Sequence, residues 1–304
     1  MRSGRGVCRQ AATCTTSFGD QRRVSTEDVC DGSGSCVHVD MSAADCPKGY
    51  AVLEVPSAAV GTLLARRISQ VTGAACVESA QVGRSATIQG DLLAGAATGT
   101  AIRVGREAEV TGVCVTGGGQ IAIGRSGQCV SGQGRPDSYG TLLSSCANAA
   151  NLAYARVGAL LGLPASQTFG AVTVSSDDTL DVTSHGAVPV IQYASLRLKR
   201  DRTLTIQGDS STEAVIVRVT GNLTLGRGAK ILGVGMSGNP AERILYLVGD
   251  SIVVRKNGIV HGTLFGQKRV FVGWNASVDG ALLSNKQIEV GRTARLNHVP
   301  WSLW

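Results

Sequence analysis

The sequence predicts a mostly β fold, a parallel β-helix (β-solenoid) with one long α-helix packed alongside. Three observations predict it: a phrase that recurs along the chain, a composition rich in small and β-branched residues, and one stretch whose apolar period switches from strand to helix. The phrase is "VGRSATIQGDL" from Val82, "IRVGREAEVTGV" from Ile102, "IAIGRSGQCVSG" from Ile121, "LTLGRGAKILGV" from Leu223 and "IVVRKNGIVHGTL" from Ile252. It returns as "VFVGWNASVDG" from Val270 and "IEVGRTARLN" from Ile288. Gly83, Gly105 and Gly124 are spaced by 22 and 19 residues, and Arg255, Gly273 and Gly291 by 18. Each unit reads as strand, corner and strand, and one such unit cannot bury its own inward side chains. Stacked on copies of itself it can, with hydrogen bonds running from coil to coil.

Composition agrees. Glycine supplies 40 of 304 residues, aromatics only 4%, and 43% of the chain is hydrophobic, carried by Val, Leu, Ile and Ala. Such residues suit a narrow, repetitive interior and corners that need unusual backbone angles. The inward positions of the last two coils are expected at Phe271 or its neighbours Val270 and Val272, then Ala276, Val278, Leu282, Ile288, Val290, Ala294 and Leu296. A slip of one residue would exchange the faces.

Taken in order, residues 1–50 share no repeat and hold five of the nine cysteines, which marks a cysteine-rich appendage. Residues 51–80, containing "PSAAVGTLLARRISQVT", read as a segment capping the first coil, since solenoid ends expose unpaired backbone. Residues 81–299 are the β-helix. It is interrupted over 138–162, where Leu142, Leu143, Cys146, Ala149, Ala150, Ala153, Tyr154, Val157, Leu160 and Leu161 fall on one helical stripe that Gly162 and Pro164 end. The strands resume from Ser166, and 300–304 form an aromatic tail with Trp301 and Trp304.

The cysteines, Cys8, Cys14, Cys30, Cys36, Cys46, Cys76, Cys114, Cys129 and Cys146, are too many for a routine reduced protein and point to disulfides and an extracellular or cell-surface location. No window of 18 uncharged apolar residues occurs, so no transmembrane segment is expected. The formal charge of +7 is spread one arginine per repeat, at Arg84, Arg106, Arg125, Arg227 and Arg292. Stacked coils would align these into a basic stripe fit for acidic polysaccharide. Interleaved aromatics are missing, so no nucleic-acid partner is expected.

No chemistry-bearing constellation emerges. His38, His185, His261 and His298 lack metal-ligand spacing, and Asp177, Asp178, Asp181 and His185 read as an ordinary polar loop. The acids Asp91, Glu107, Glu109, Asp250 and Asp279 form no repeated pair of glycosidase type. Catalytic residues, cofactor and metal are therefore all expected to be none.

From about 80 to 298, the coils, the helical stripe, "TLTIQGDSSTEAVIVRVTGNLTLGRGAKILG" and "AERILYLVGDSIVVRKNGIVHGTLFG" together resemble the ice-binding-like and choice-of-anchor-A group of extracellular β-helices. The repeats alone bear a weaker resemblance to the bactofilin polymers. The first resemblance implies a right-handed parallel β-helix with a single long α-helix alongside, and a non-catalytic module that is structural, adhesive or ice-binding. Outward Thr87, Thr111, Thr224 and Thr293 suit an ice face, whereas Arg103, Glu107 and Glu109 oppose it by holding their own hydration. The function expected from sequence is a structural or adhesive solenoid, self-associating into a filament or layer. Ice binding is the alternative, and binding or cleavage of acidic polysaccharide a second one.

Overall fold

The computed structural model describes residues 14–15, 24–30, 36–41, 58–59, 61–134, 154–155 and 157–299. The chain divides into two units, 1–54 and 55–304. In the first, Val24–Cys30 pairs antiparallel with Cys36–Met41, which sets the backbone of Cys30 opposite that of Cys36, and Cys14–Thr15 adds a short third strand. Cys8, Cys46, Cys146 and the tail 300–304 lie outside the described residues.

The second unit is a β-solenoid in which all strand pairings are parallel. Each full coil supplies three strands, a, b and c. In one coil these are Ala75–Val77, Ser79–Val82 and Thr87–Gln89. The a and b strands merge into a 19-stranded sheet, while the c strands form a 10-stranded sheet, one strand per coil. Alternation sorts the side chains: Val82, Ile88, Leu92, Val104 and Val110 turn inward and are fully buried, because the stack has no other apolar interior. For the last two coils the structure decides between the alternatives at the first strand and agrees with the rest of the expected set. Val270 and Val272 are buried and Phe271 turns outward, and Ala276, Val278, Leu282, Ile288, Val290, Ala294 and Leu296 are all core.

The coils are not stacked in chain order. Along the c sheet the strands run Gln128–Cys129, Glu109–Val110, Thr87–Gln89, Gln70–Thr72, then Arg295–Asn297, Ser277–Asp279, Ile259–His261, Lys230–Val234, Thr203–Gln207 and Asp178–Asp181. The first coil therefore sits on the last one in mid-stack: Leu63 pairs with Ile288 and Ala65 with Val290. The chain leaves one end of the stack at Gly134 and resumes at the other with Gln167.

Two expectations are corrected. Residues 61–80, within the segment expected as a cap, do not cover an end of the stack. Thr62–Ala65 and Gln70–Thr72 are the b and c strands of an interior coil, held by neighbours on both sides. Inward Leu63, Ala65, Ser69 and Val71 are what make it a coil.

The long helix over 138–162 is the second correction. Among the described residues the helical ones are 154, 155 and 157–161, and no helix reaches seven residues; 138–153 lie outside the described residues. Apolar periodicity reports which side chains face a sheet and does not fix the length of a helix. Tyr154, Val157 and Leu160 pack on the outer side of the a strands, against Val190, Ile216, Leu247, Phe265 and Leu283. Tyr154 meets Phe265 edge-on at 5.7 Å. The helical residues stop at Gly162, and the Arg218 guanidinium donates to the carbonyls of Leu161 and Leu163 at 2.6 and 2.9 Å, satisfying acceptors a helix end leaves open.

The terminal coil is stapled. Cys114 on its a strand and Cys129 on its c strand form a disulfide across the interior, with Cα atoms 5.9 Å apart. Cys76 is also disulfide-bonded and lies on the outer side of the a strands with Leu93 and Val115.

Candidate functional site

The outer side of the a strands is already occupied by apolar packing, which leaves three surfaces that present side chains in register: the b face, the c face and the corner between b and c.

On the b face the strand register defines a central row across ten coils: Thr173, Arg197, Thr224, Val253, Phe271, Glu289, Leu64, Gln81, Arg103 and Ala122. Beside it runs Ser251, Arg269, Gln287, Thr62 and Ser79. Most of these side chains are half-buried, while Thr173, Arg197, Gln81, Arg103 and Arg269 are exposed. Thr62 and Ser79 share a hydrogen bond of 3.2 Å between their hydroxyls. Glu289, only 7% exposed, accepts from Arg66 on one side and Arg269 on the other, so the one acid of the row is neutralised where it stands.

The structure redistributes the charged residues that spoke against an ice face. Only Arg103 belongs to the b face. Glu109 is on a c strand, and Glu107 is on the corner. The threonines divide as well: Thr224 is on b, Thr87 lies on a c strand, Thr111 directly follows one, and Thr293 is a corner residue.

The corner is built the same way in coil after coil. A residue in the left-handed conformation follows the stripe position: Asp201, Asn257, Asn275, Thr293, Ile68, Ser85, Glu107 and Ser126 all have φ between 52° and 59°. Its N–H is thereby aimed at the stripe carbonyl of the next coil. Asp201 donates to Arg227 at 2.8 Å, Asn257 to Trp274 at 3.0 Å, Asn275 to Arg292 at 3.0 Å and Thr293 to Arg67 at 3.3 Å. Ile68 donates to Arg84 at 3.0 Å, Ser85 to Arg106 at 3.0 Å and Glu107 to Arg125 at 3.1 Å, while Gly228 donates to Lys256 at 2.8 Å.

That ladder fixes one continuous series: Arg200, Arg227, Lys256, Trp274, Arg292, Arg67, Arg84, Arg106, Arg125. All five arginines expected from sequence lie in it. Arg67 joins Arg292 to Arg84, and it was missed because its segment read as a cap; "LARRISQV" does align with "QVGRSATI" once Arg66 is accepted at the glycine position. Lys256 and Arg200 occupy the same register position. Glu107 accepts from Ser85, Arg84 and Arg106, and these hydrogen bonds, the serine first, hold its carboxyl below the usual range.

Asp177, Asp178 and Asp181 spend their carboxylates on local backbone, accepting from the N–H of Thr203, Thr179 and Thr183. Among the described residues no group of three His, Cys, Asp or Glu is placed to hold a metal ion, and no helix is long and apolar enough to cross a membrane.

No family model matches the chain. Over 77 residues, 25% of this chain and 30% of the relative, it is 34% identical to an ice-binding protein of Flammulina populicola, so the match spans under a third of that protein. Among solved structures, the DUF3494 domain of a Shewanella frigidimarina ice-binding protein superposes with a TM-score of 0.50 at 18% identity, covering 82% of this chain and 97% of that one. A glycosylated ice-binding protein from an Arctic yeast gives 0.47 at 17% identity, over 82% and 94%. The chain has the DUF3494-type solenoid fold. The Cys114–Cys129 staple accords with the extracellular location expected from the cysteine count.

Proposed function

We propose that this is an extracellular, non-catalytic ice-binding solenoid and that its b face meets the crystal. The observation that carries the reading is the central row of the b face, where Thr173, Thr224, Val253, Leu64 and Ala122 stand in strand register with Arg197, Phe271, Glu289, Gln81 and Arg103 at about 4.8 Å per coil. Adsorption to ice requires many weak contacts made at once by groups already in place. A rigid ladder of short side chains loses little conformational freedom when it docks.

Long charged side chains would spoil such a surface; Arg197 and Arg103 stand one coil in from the two ends of the row, and the coils between them carry a single charge on it, Glu289. Glu289 is held between Arg66 and Arg269, and the acids of the 105–110 region point elsewhere. The c strands are the poorer candidate, since their outward positions include Lys230, Arg295, Glu109, Asp279 and Asp181. The partial identity to the Flammulina populicola ice-binding protein supports the same reading. An adhesive or purely structural role, the other class open to a non-catalytic solenoid, makes no demand for short side chains in coil register on one face. The test is direct: micromolar protein should facet growing ice crystals and slow their growth. Crystals that stay round at every concentration would refute the proposal.

A further inference from the structure

The b–c corner is a second surface, independent of the ice face. Its nine aligned positions carry eight cations and one tryptophan, and eight coil steps make it about 38 Å long. Most of these side chains are exposed. Arg84 and Arg106 share Glu107, and Arg200 is paired with Asp201. Arg227, Lys256, Arg292, Arg67 and Arg125 pair with no carboxylate among the described residues. Trp274, 48% exposed, sits between two of them, with Lys256 Nζ 3.7 Å from its ring centroid and the Arg292 guanidinium 5.6 Å away. The ring replaces a charge without breaking the stripe, because it holds both neighbouring cations against itself.

We propose that this corner binds a linear, carboxylate-bearing polysaccharide laid along the solenoid axis. The shape of the stripe selects the partner. It is straight and one residue wide, so an occupant must keep its negative charges close to a line. Duplex DNA does not: a line along its axis crosses the two backbones only about twice per turn of roughly 34 Å, leaving most of the cations unmatched. A single nucleic-acid strand would want successive aromatic platforms, and the corner provides one ring in nine positions. An extended uronate chain presents its carboxylates along a line, two coils span about the length of a disaccharide, and the guanidinium fork matches a carboxylate edge-on.

The experiment measures binding of the full chain to polygalacturonate across a salt series, with neutral dextran and a DNA duplex as competitors. Wild type should bind polygalacturonate with affinity that falls steeply with salt, and neither competitor should displace it. The double variant Arg67→Ala/Arg292→Ala removes two adjacent stripe cations and should weaken binding about tenfold. Lys230→Ala/Arg295→Ala removes the same charge from the c strands and should change affinity less than twofold. Both variants should retain the wild-type circular dichroism and ice-crystal faceting, since neither touches the b face. Equal weakening by the two variants, displacement by DNA, or no binding of polygalacturonate by wild type would each overturn the proposal.

Discussion

Gly61→Ala tests the junction where the first coil meets the last. Gly61 has φ +85°, and a Cβ built there would lie 2.2 Å from the carbonyl oxygen of Lys286, 225 residues further along the chain. Alanine in the left-handed region costs about 1 kcal/mol or somewhat more. The clash forces the two coils apart by several tenths of an ångström, which strains the bond from the Thr62 N–H to that same carbonyl, 2.9 Å long and worth about 1 kcal/mol. The sum is about 2–4 kcal/mol, or a melting temperature lower by roughly 5–15 °C for a unit of this size. Thermal unfolding followed by circular dichroism reads it, with Gly170→Ala as control, since a Cβ there meets nothing within 4 Å. Equal melting temperatures for Gly61→Ala and Gly170→Ala would refute the mid-stack junction.

Three further outcomes follow from the same structure. Replacing Cys114 and Cys129 by alanine opens a 15-residue loop and should cost about 3 kcal/mol, read as a lower melting temperature and faster amide exchange over 109–134; unchanged exchange there would contradict the staple. Leu64→Lys puts a long cation in the centre of the b face and should abolish most ice-crystal faceting, whereas Thr87→Lys on a c strand should leave it intact. Asp181, Asp209 and Asp250 have carboxyls held below their usual range, by the Thr183 N–H, the Ser211 hydroxyl and Lys268 respectively. Groups depressed in the folded state contribute stability above their unfolded pKa of about 4 and lose it as pH falls through the folded value. The melting temperature should therefore hold from pH 7 to about 5 and decline below about 4; a flat profile down to pH 2 would contradict the assignment.

The coils were legible because corner and core impose themselves on every repeat: Val82, Val104, Val254, Val272 and Val290 precede the same corner and all face inward. The coil at 58–72 escaped because Arg66 and Ile68 replace the small residues usual at that corner, although Leu63, Ala65 and Val71 kept the inward pattern. Stack order was not legible at all. Leu63 pairs with Ile288 across 225 residues, and parallel coils of one pattern carry no local mark of which neighbour they will take. The stripe was half visible for the same reason: five arginines came from repeats read correctly, while Arg67, Arg200 and Lys256 needed the register. The charges near Arg103 were visible too, but period-2 alternation had to be combined with corner positions before Glu107 and Glu109 could be assigned away from the b face.

The central claim is that the b face adsorbs to ice. Fluorescently labelled protein should be taken up by a slowly growing single ice crystal and stay on its surface when the surrounding solution is exchanged, while labelled Leu64→Lys is excluded into the liquid. Exclusion of the wild-type protein, with its solenoid intact by circular dichroism, would contradict the account.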